Sequence, residues 1–567
     1  MKKAGRKMLW AFLALTCVTG SLAASDAVIK GVVTDSAGKP LRGATISVAS
    51  GIKTVSRFSQ KDGKYEITVA GGTYAVSVEA YGFAVKRMSV ETTKGGETNF
   101  SLSTASLNLA RLTGSELESL LPDTPEARLL KARCIECHSF PTVLHRRGQT
   151  AAEWKAFLPD MTRGTMNEPF GRATTAELDA ISAALAKYFG PDSPYFSPDA
   201  DASELKANVK HVEPSDQALM STVIQYDVPT KNSHAHSIEI DMKTNVAWFG
   251  EESFLANKAT RFDMNTESFQ EYPLLTEKAR PHTGVVTPDG TYYVALADGS
   301  LPPKLASVDP ETGKVTQYNW PEKKTGGAHT IALDRAGNIW FSGGDSGDMW
   351  SFDVEKQQFS SHPYAVPATY PKGSAQEWDA IPGEATRPPQ AGSYDVTVDN
   401  EGMVWFSQLT MGTLVRLNPS TGENKDIHPE GTVSIRGIIV DPQDNLWFGD
   451  FHGHRFGKLN AKTGEVRFYK PPTPNATVYG VSYNRMDGNV WYADMSGNNV
   501  TRFNPKTEQF TEYRIPNRPD HSYDRFIGAD AKGRVWFTEY FGDRIGFVDS
   551  TGESTGSQIT STQASAK

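Results

Sequence analysis

The residues best suited to chemistry form a single motif, Cys134-Ile135-Glu136-Cys137-His138. Two thiols separated by two residues can add to the vinyl groups of haem, and the histidine that follows can offer its imidazole to the iron. The same cysteines could instead form a redox-active dithiol or half of a zinc site. A zinc site needs two further ligands nearby, and the chain has no second cysteine pair, since its third cysteine is Cys17. We therefore expect covalently bound haem c, attached through Cys134 and Cys137 and ligated by His138.

Segments with helical spacing flank this motif, at 115–121, 124–133, 150–161 and 175–189. A small helical domain around such a motif resembles a class I cytochrome c. The run from Trp154 to Met161 resembles a cytochrome c subgroup of periplasmic oxidoreductases, and this resemblance implies Met161 as the second axial ligand of the iron. Met166, His145 or an open coordination position are alternatives, and either methionine could simply pack in the core.

The second half of the chain repeats around an aromatic residue that follows a turn. Most of these aromatic residues are about 42 to 48 residues apart, which is the length of a four-stranded propeller blade. A proline-rich insertion lengthens the interval between Trp340 and Trp405. The repeats predict a seven-bladed β-propeller centred on Trp248, Tyr293, Trp340, Trp405, Trp447, Trp491 and Trp536.

Polar residues recur at two positions relative to these aromatic residues. The position about eleven residues earlier should lie near the start of the inner strand, and the position three residues later near its other end. The first set is His236 or Ser237, His282, His329, Tyr394, Arg436, Gly480 and Arg525. The second set is Glu251, Leu296, Gly343, Gln408, Asp450, Asp494 and Glu539, with Asp298 and Asp345 two residues further on in their repeats.

Residues from separate blades at one phase of the repeat can converge on a central channel. Such a set could bind a divalent metal such as Mg²⁺ or an anionic small-molecule substrate. The alternative is that these residues only hydrogen-bond neighbouring blades. His452 and His454 could line the rim of the channel or be solvated loop residues, and we expect them to be solvated. The candidate catalytic residues are His282 and His329, and the candidate ion ligands are Glu251, Asp450 and Glu539.

The repeats resemble the streptogramin lyase, or virginiamycin B lyase-like, propeller family. The matching runs are Asn338-Ile339-Trp340-Phe341, Asn445-Leu446-Trp447-Phe448-Gly449-Asp450 and Val535-Trp536-Phe537-Thr538-Glu539. The resemblance implies a metal that polarises an ester and a histidine that removes a proton, so that a ring opens by elimination. The family pattern places a carboxylate fourteen residues after Pro-His. Here Leu296 lies fourteen residues after His282, Gly343 lies fourteen residues after His329, and Arg525 lies fourteen residues before Glu539. None of these repeats therefore contains both the histidine and the carboxylate.

Residues 25–104 resemble the carboxypeptidase regulatory-like domain family. The runs that carry this resemblance are Gly31-Val32-Val33-Thr34-Asp35, Gly43-Ala44-Thr45-Ile46, Asp62-Gly63-Lys64-Tyr65 and Ala80-Tyr81-Gly82-Phe83. Several segments alternate apolar and polar residues, as half-buried strands do. The resemblance implies a non-catalytic accessory β-sandwich.

The N-terminal segment predicts export. Basic residues lie within the first seven positions, 8–18 is apolar, and small residues follow at Ala23 and Ala24, as in a cleaved signal peptide. We expect a periplasmic or secreted protein with no membrane span after signal removal. A formal charge of −8 without a basic run argues against nucleic acid as a partner.

The sequence therefore predicts a multidomain, mainly β protein. The predicted parts are a signal peptide (1–24), a β-sandwich (25–104), an all-α cytochrome c-like haem domain (105–200), a linker (201–220), the propeller (221–553) and a disordered tail (554–567). We expect an exported c-type haem protein that uses a substrate- or metal-binding propeller in electron transfer or oxidoreduction, with a periplasmic electron-transfer partner. The alternatives are a carbon–oxygen lyase with ancillary haem, and a non-enzymatic binding or sensing module.

Overall fold

The computed structural model describes residues 26–92, 96–135, 138–161, 175–193, 196, 208–297, 303–320, 328–343, 348–365, 371, 392–409, 411–516 and 524–552. For Asp26, Asp160, Met161, Pro303, Asp524 and Arg525 it describes the backbone alone. The predicted signal peptide, the predicted tail, Cys137, Met166, Asp298 and Asp345 lie outside the described residues, as do the side chains of Met161 and Arg525.

The N-terminal module is a β-sandwich, as predicted. Its strands are β1 (Asp26–Asp35), β2 (Thr45–Ser50), β3 (Lys53–Phe58), β4 (Lys64–Ala70), β5 (Thr73–Glu79), β6 (Lys86–Glu91) and β7 (Phe100–Leu102). One sheet has the order β4-β1-β7, and the other runs β3-β2-β5-β6. Every second residue of β4 and β5 is buried, so Ile67, Val69 and Val76 meet in one core.

The next segment is helical. A 3₁₀ turn (Leu109–Arg111) precedes α1 (Gly114–Ser119), α2 (Pro125–Cys134), α3 (Phe140–Leu144), α4 (Ala151–Met161), α5 (Thr175–Phe189) and α6 (Asp216–Leu219). Thr113 and Glu116 form a reciprocal capping box on α1, and Thr124 caps α2, whose first residue is proline. The last helix lies within the predicted linker and buries Leu219. Among the described residues, no helix combines the length and apolar character that a bilayer span requires.

The remaining strands form a propeller-like array of antiparallel sheets. The strands of its first part are β8 (Thr222–Asp227), β9 (Glu239–Asp241), β10 (Val246–Glu251), β11 (Lys258–Asp263), β12 (Ser268–Pro273), β13 (Pro281–Val286), β14 (Tyr292–Leu296), β15 (Pro303–Val308), β16 (Val315–Asn319), β17 (Ile331–Leu333), β18 (Ile339–Ser342), β19 (Asp348–Asp353) and β20 (Gln358–Pro363). Those of its second part are β21 (Ser393–Val398), β22 (Val404–Gln408), β23 (Thr413–Leu417), β24 (Asn424–Ile427), β25 (Ile435–Val440), β26 (Asn445–Asp450), β27 (Arg455–Asn460), β28 (Val466–Tyr469), β29 (Val478–Asn484), β30 (Asn489–Asp494), β31 (Asn499–Asn504), β32 (Gln509–Arg514), β33 (Asp524–Ala529), β34 (Val535–Glu539) and β35 (Arg544–Asp549).

These strands pair in groups of four in chain order, from β9–β12 to β29–β32. The first strand of each group lies against that of the next group, from β9 through β13, β17, β21, β25 and β29 to β33, and β33 lies against β9. We call these the inner strands. Each predicted aromatic centre lies on the second strand of its group and is buried; Trp248, for example, stacks on Tyr292 of the next sheet.

In five of the seven groups, an aspartate in the turn before the second strand accounts for the repeated pattern. The indole N–H of Trp405 donates to Oδ2 of Asp399 at 2.8 Å, and Oδ1 accepts the backbone N–H groups of Glu401 and Met403 at 2.9 Å. A buried indole N–H is stabilised by such an acceptor, so the turn supplies the hydrogen bond that the core residue lacks within its own strand. The same pairing joins Trp340 to Asp334, Trp447 to Asp441, Trp491 to Asp487 and Trp536 to Asp530.

The strand β8 joins the propeller to the N-terminal module. It pairs on one side with β35, where Tyr226 lies opposite Ile545, and on the other side with β3, where Tyr226 lies opposite Lys53. The result is an eight-stranded sheet of order β33-β34-β35-β8-β3-β2-β5-β6. The N-terminal module is therefore continuous with the propeller through main-chain hydrogen bonds.

Candidate functional site

Five of the seven inner strands share an irregularity at their start. Pairing with the second strand skips two residues between Pro281 and Gly284, Ser393 and Val396, Ile435 and Ile438, Val478 and Val481, and Asp524 and Ile527. A bulge of this kind bends the strand and redirects a side chain. In this propeller the redirected side chains point to the centre of the array.

The central side chains contact one another in a closed series, which we call the channel ring: His236, His282, His329, Tyr394, Arg436, Tyr479 and Phe526. The ring centroids lie 3.5 Å apart for His236 and His282, 4.1 Å for His282 and His329, and 4.2 Å for His329 and Tyr394. The phenol oxygens of Tyr394 and Tyr479 are 2.6 Å apart. Phe526 closes the series, with its ring 5.6 Å from that of Tyr479 and 5.3 Å from that of His236.

The structure thus brings together most of the first predicted set, with two changes. Tyr479 takes the place expected for Gly480, and Phe526 takes the place expected for Arg525. Each bulge holds two residues, so a fixed count back from the aromatic centre does not say which of them faces the channel. Side-chain size could have indicated which residue faces the channel, since Tyr479 and not Gly480 does so.

Hydrogen bonds between neighbouring sheets fix the imidazoles. Nδ1 of His282 donates to the backbone oxygen of His329 at 2.9 Å, and Nδ1 of His329 donates to that of Tyr394 at 3.1 Å. Because a carbonyl can only accept, these contacts assign the proton to Nδ1 and the lone pair to Nε2. The hydroxyl of Thr538 on β34 donates to the backbone oxygen of His236 at 3.1 Å. This bond links the last group of strands to the first.

Charge in the channel ring is concentrated on Arg436. Its side chain is buried, its Nη1 donates to the phenol oxygen of Tyr394 at 2.7 Å, and its guanidinium lies 4.1 Å from the ring centroid of Phe451. Burial, together with the neighbouring His282 and Arg436, holds the pKa of His329 well below its usual range. The channel therefore presents a fixed cation beside a neutral imidazole at neutral pH.

The carboxylates predicted to hold a channel ion lie on three different sheets. Glu251 accepts from the hydroxyl of Thr260 at 2.5 Å, and burial raises its pKa to about 7. Asp450 accepts from Nη2 of Arg455 at 2.7 Å and from the backbone N–H of Val433 at 3.0 Å. Glu539 accepts from Nη2 of Arg544 at 2.5 Å and from Gln225. The structure does not bring these three carboxylates together.

A different carboxylate lies beside the histidines. One donor atom from each of His236, Glu252 and His282 falls within 4.8 Å of the other two, and all three side chains are buried. Arg280 forms an ion pair with Glu252. Glu252 escaped the sequence prediction because it lies one residue beyond the repeat position that Glu251 occupies.

The two histidines that we expected to be solvated lie against the helical segment. His452 is buried, and its Nδ1 is 2.9 Å from the hydroxyl of Ser434. Burial lowers its pKa well below the usual range, and Arg436 and Arg133 of α2 act in the same direction. Burial lowers the pKa of His454 to about 4, with Lys131 of α2 acting in the same direction. The loop that carries both histidines is covered by α2, which the sequence did not show.

The Cys-x-x-Cys-His motif lies in the helical segment, and the structure describes two of its chemical groups. Cys134 ends α2 and is buried, and His138 is buried just before α3. Burial raises the pKa of the Cys134 thiol to about 12, which is unlike a reactive dithiol. Cys134 has apolar neighbours: Phe140, Leu144, Trp154, Leu158 and Leu185 belong to the same cluster. Covalent haem of this type needs two sulfurs, an imidazole and an apolar environment; among the described residues Cys134 supplies one sulfur and an apolar environment, and His138 supplies the imidazole, so these residues fit the group.

This apolar cluster continues into the propeller. It includes Tyr394 and Tyr479 of the channel ring, and also Phe451 and Met495. The backbone N–H of Ser115 in α1 donates to the backbone oxygen of Ser496 at 2.8 Å, which fixes the helical segment to the propeller. The helical segment therefore packs directly against the channel ring.

Comparison with known proteins identifies two domain types. Residues 383–566 match the virginiamycin B lyase family, and residues 28–104 match the carboxypeptidase regulatory-like domain. A virginiamycin B lyase of Nocardia farcinica (strain IFM 10152) is 33% identical over 84 residues, which cover 15% of this chain and 29% of that protein. The chain thus matches less than a third of that relative's length.

Two solved structures superpose on part of this chain. A streptogramin B lyase superposes with a TM-score of 0.49 at 18% identity, covering 58% of this chain and 97% of that one. A virginiamycin B lyase from Staphylococcus aureus superposes with a TM-score of 0.48 at 18% identity, covering 58% and 99%. The sheet order and the two family matches together describe a multidomain protein of β-sandwich and propeller-like parts. More particularly, it carries a carboxypeptidase regulatory-like domain and a virginiamycin B lyase-like domain.

Proposed function

We propose that this chain is an exported c-type haem protein whose propeller binds a small molecule at the channel ring and exchanges electrons with it through the helical segment. The observation that carries the proposal is the shared apolar cluster, in which Cys134 of the motif and Tyr394 and Tyr479 of the channel ring are members. An electron-transfer centre and a ligand site that pack together suit redox chemistry. The periplasm or the cell exterior is the proposed location, and a periplasmic electron-transfer protein is the proposed partner.

We infer seven blades. The order of inner-strand contacts returns from β33 to β9, and β8 pairs with β35 as the fourth strand of the last group. Closure by a strand from the other end of the chain removes the open edges of the array. Each of the seven groups then supplies one residue to the channel ring.

The haem would be held by thioether bonds from Cys134 and Cys137 and by the imidazole of His138, with Met161 as the candidate second protein ligand of the iron. Bound haem supplies a one-electron couple. The chain supplies the surroundings. The apolar cluster excludes water, Arg436 offers a buried positive charge to an anionic ligand, and the Tyr394–Tyr479 hydrogen bond connects the histidines to the helical segment.

The first test is a visible spectrum of the exported protein, recorded oxidised and reduced after denaturation and solvent extraction. We expect a reversible c-type spectrum that remains with the polypeptide, and the double variant Cys134→Ser/Cys137→Ser should lose it. A matched variant, Cys17→Ser, should keep it, since Cys17 lies in the proposed signal peptide. A protein that carries no covalent haem would refute the proposal.

A second test addresses the link between haem and channel. Removing the buried charge in Arg436→Met should lower the haem midpoint potential by tens of millivolts, because a nearby cation favours the reduced state. Arg467→Met, an exposed outer-strand arginine paired with Glu508, is the control and should leave the potential unchanged. If the wild type and both variants have the same midpoint potential, the charge in the channel does not act on the haem, and the proposed link between them is refuted.

The second candidate function is that of a lyase, because residues 383–566 match the virginiamycin B lyase family. Within that segment the channel ring consists of Tyr394, Arg436, Tyr479 and Phe526, and none of these is an ordinary base near neutral pH. The histidines of the ring lie on earlier sheets. Incubation with quinupristin, which is bound in one of the related structures, would decide: ring opening without an electron acceptor, abolished in His329→Ala, would favour the lyase.

A further inference from the structure

Three buried side chains on one side of the channel ring form a ligand set. The ring centroids of His236 and His282 lie 3.5 Å apart with the ring planes tilted by 38°, and Glu252 brings its carboxylate beside them. The donor atoms of all three lie within 4.8 Å of one another. Ligands of a tetrahedral ion with bonds of about 2.1 Å lie about 3.4 Å apart, so small side-chain rotations would bring these donors into range.

The backbone holds two of the ligands in register. The N–H of His236 donates to the backbone oxygen of Gly250, and the N–H of Glu252 donates to that of His234, both at 3.2 Å. Ala235 and Glu251 form the bridge between these two pairs. His236 and Glu252 therefore sit on two short segments that are tied to each other.

The third ligand is oriented by a contact outside the set. Nδ1 of His282 donates to the backbone oxygen of His329 at 2.9 Å, which leaves Nε2 as the atom with the lone pair. Metal-binding histidines usually have such a partner on the other ring nitrogen, because it fixes the tautomer and the ring orientation. The ion pair with Arg280 orients the carboxylate of Glu252 in the same way.

We propose that His236, His282 and Glu252 bind a divalent transition-metal ion of the zinc type. Two imidazoles and one carboxylate suit zinc and the later first-row metals, whereas Mg²⁺ and Ca²⁺ prefer a set made of oxygen ligands. The ion occupies the channel that the proposed function assigns to the small molecule, and it leaves coordination positions open to that molecule. The proposal rests on that role of the channel but requires no haem.

The test is a titration of the full-length exported protein with ZnCl₂ in a calorimeter, with excess Mg²⁺ present. The protein carries no histidine tag and is first treated with a chelator, and its haem is quantified in the same preparation. We expect one zinc ion per chain. His282→Ala and Glu252→Gln should each weaken zinc binding by at least about 100-fold. His362→Gln, a matched variant on β20 where Nε2 contacts the Ser351 hydroxyl at 2.9 Å, should bind like the wild type.

Wild-type protein that binds no zinc, or that loses it to Mg²⁺, would overturn the proposal, as would His282→Ala binding zinc with wild-type affinity. If His282→Ala proves unfolded by circular dichroism, the isosteric Glu252→Gln decides by the same criterion. Zinc bound by a preparation without haem would refute the proposed electron transfer and support the metal site. A preparation that carries haem but binds no zinc would refute the metal site and leave the proposed electron transfer standing.

Discussion

His454 gives a direct test of how the loop under α2 responds to acid. Its Nδ1 donates to the backbone oxygen of Ala476 at 3.1 Å, and burial lowers its pKa to about 4, with Lys131 acting in the same direction. In the unfolded chain a histidine has a pKa of about 6.5. Between these two values the unfolded chain binds a proton at this position that the folded protein does not bind.

The sign and size of the effect follow by linkage. Because the folded pKa lies below the unfolded value, acidification favours the unfolded chain as the pH falls from about 6.5 towards 4. Between pH 7 and pH 5 this one histidine should cost the folded protein about 2 kcal/mol. Buried carboxyl groups such as Glu251 and Asp494 have raised pKa values, so they change stability in the opposite direction over the same range.

The variant His454→Asn isolates the histidine from those carboxyl groups. His454 has a φ of 53°, which asparagine tolerates well, and the asparagine amide can still donate to Ala476. Urea denaturation followed by tryptophan fluorescence gives the free energy of unfolding of both proteins at pH 7 and pH 5. The two proteins should be similar at pH 7, and at pH 5 the variant should be more stable by about 2 kcal/mol. A gain at pH 5 below about 0.5 kcal/mol would refute the reasoning.

Three further variants test the packing. Asp399→Ala removes the acceptor of the buried Trp405 indole, so urea denaturation should show a loss of about 2–3 kcal/mol, with a smaller loss for Asp399→Asn. Gly437→Ala would place its Cβ 2.1 Å from the backbone oxygen of Tyr479, so the melting temperature should fall. An unchanged melting temperature would show that the inner strands separate easily. Val55→Asp puts a carboxylate into the core shared by β3 and β8, and it should make both modules sensitive to protease, whereas proteolysis of one alone would contradict their coupling.

The repeat could be predicted from sequence because it rests on local chemistry. The turn aspartate and the tryptophan six residues later are bonded to each other, so the pattern Asp399…Trp405 reports both the turn and the buried strand. Its period then placed His282, His329 and Arg436 at one phase, and they do meet in the channel ring. The signal is strong because five of the strand groups contain the same aspartate–tryptophan hydrogen bond.

Other features depend on contacts between distant segments, which no local pattern records. Glu252 joins His236 and His282 because two backbone segments pair there, not because of its repeat position. The pairing of β3 with β8 uses two strand edges whose sequences would suit many partners. The burial of His452 follows from the docking of α2, which lies more than three hundred residues earlier in the chain.

The double pairing of β8 has a consequence for the order in which the chain assembles. Contacts between this strand and the last sheet span 314 residues, as in the bond from Gln225 to Glu539, so they form late in any synthesis that proceeds from the N-terminus. The bonds between β8 and β3 span far fewer residues and can form as soon as the N-terminal module folds. That module then acts as an intramolecular template, which presents an ordered strand to the arriving β35 and shields one edge from other chains in the meantime.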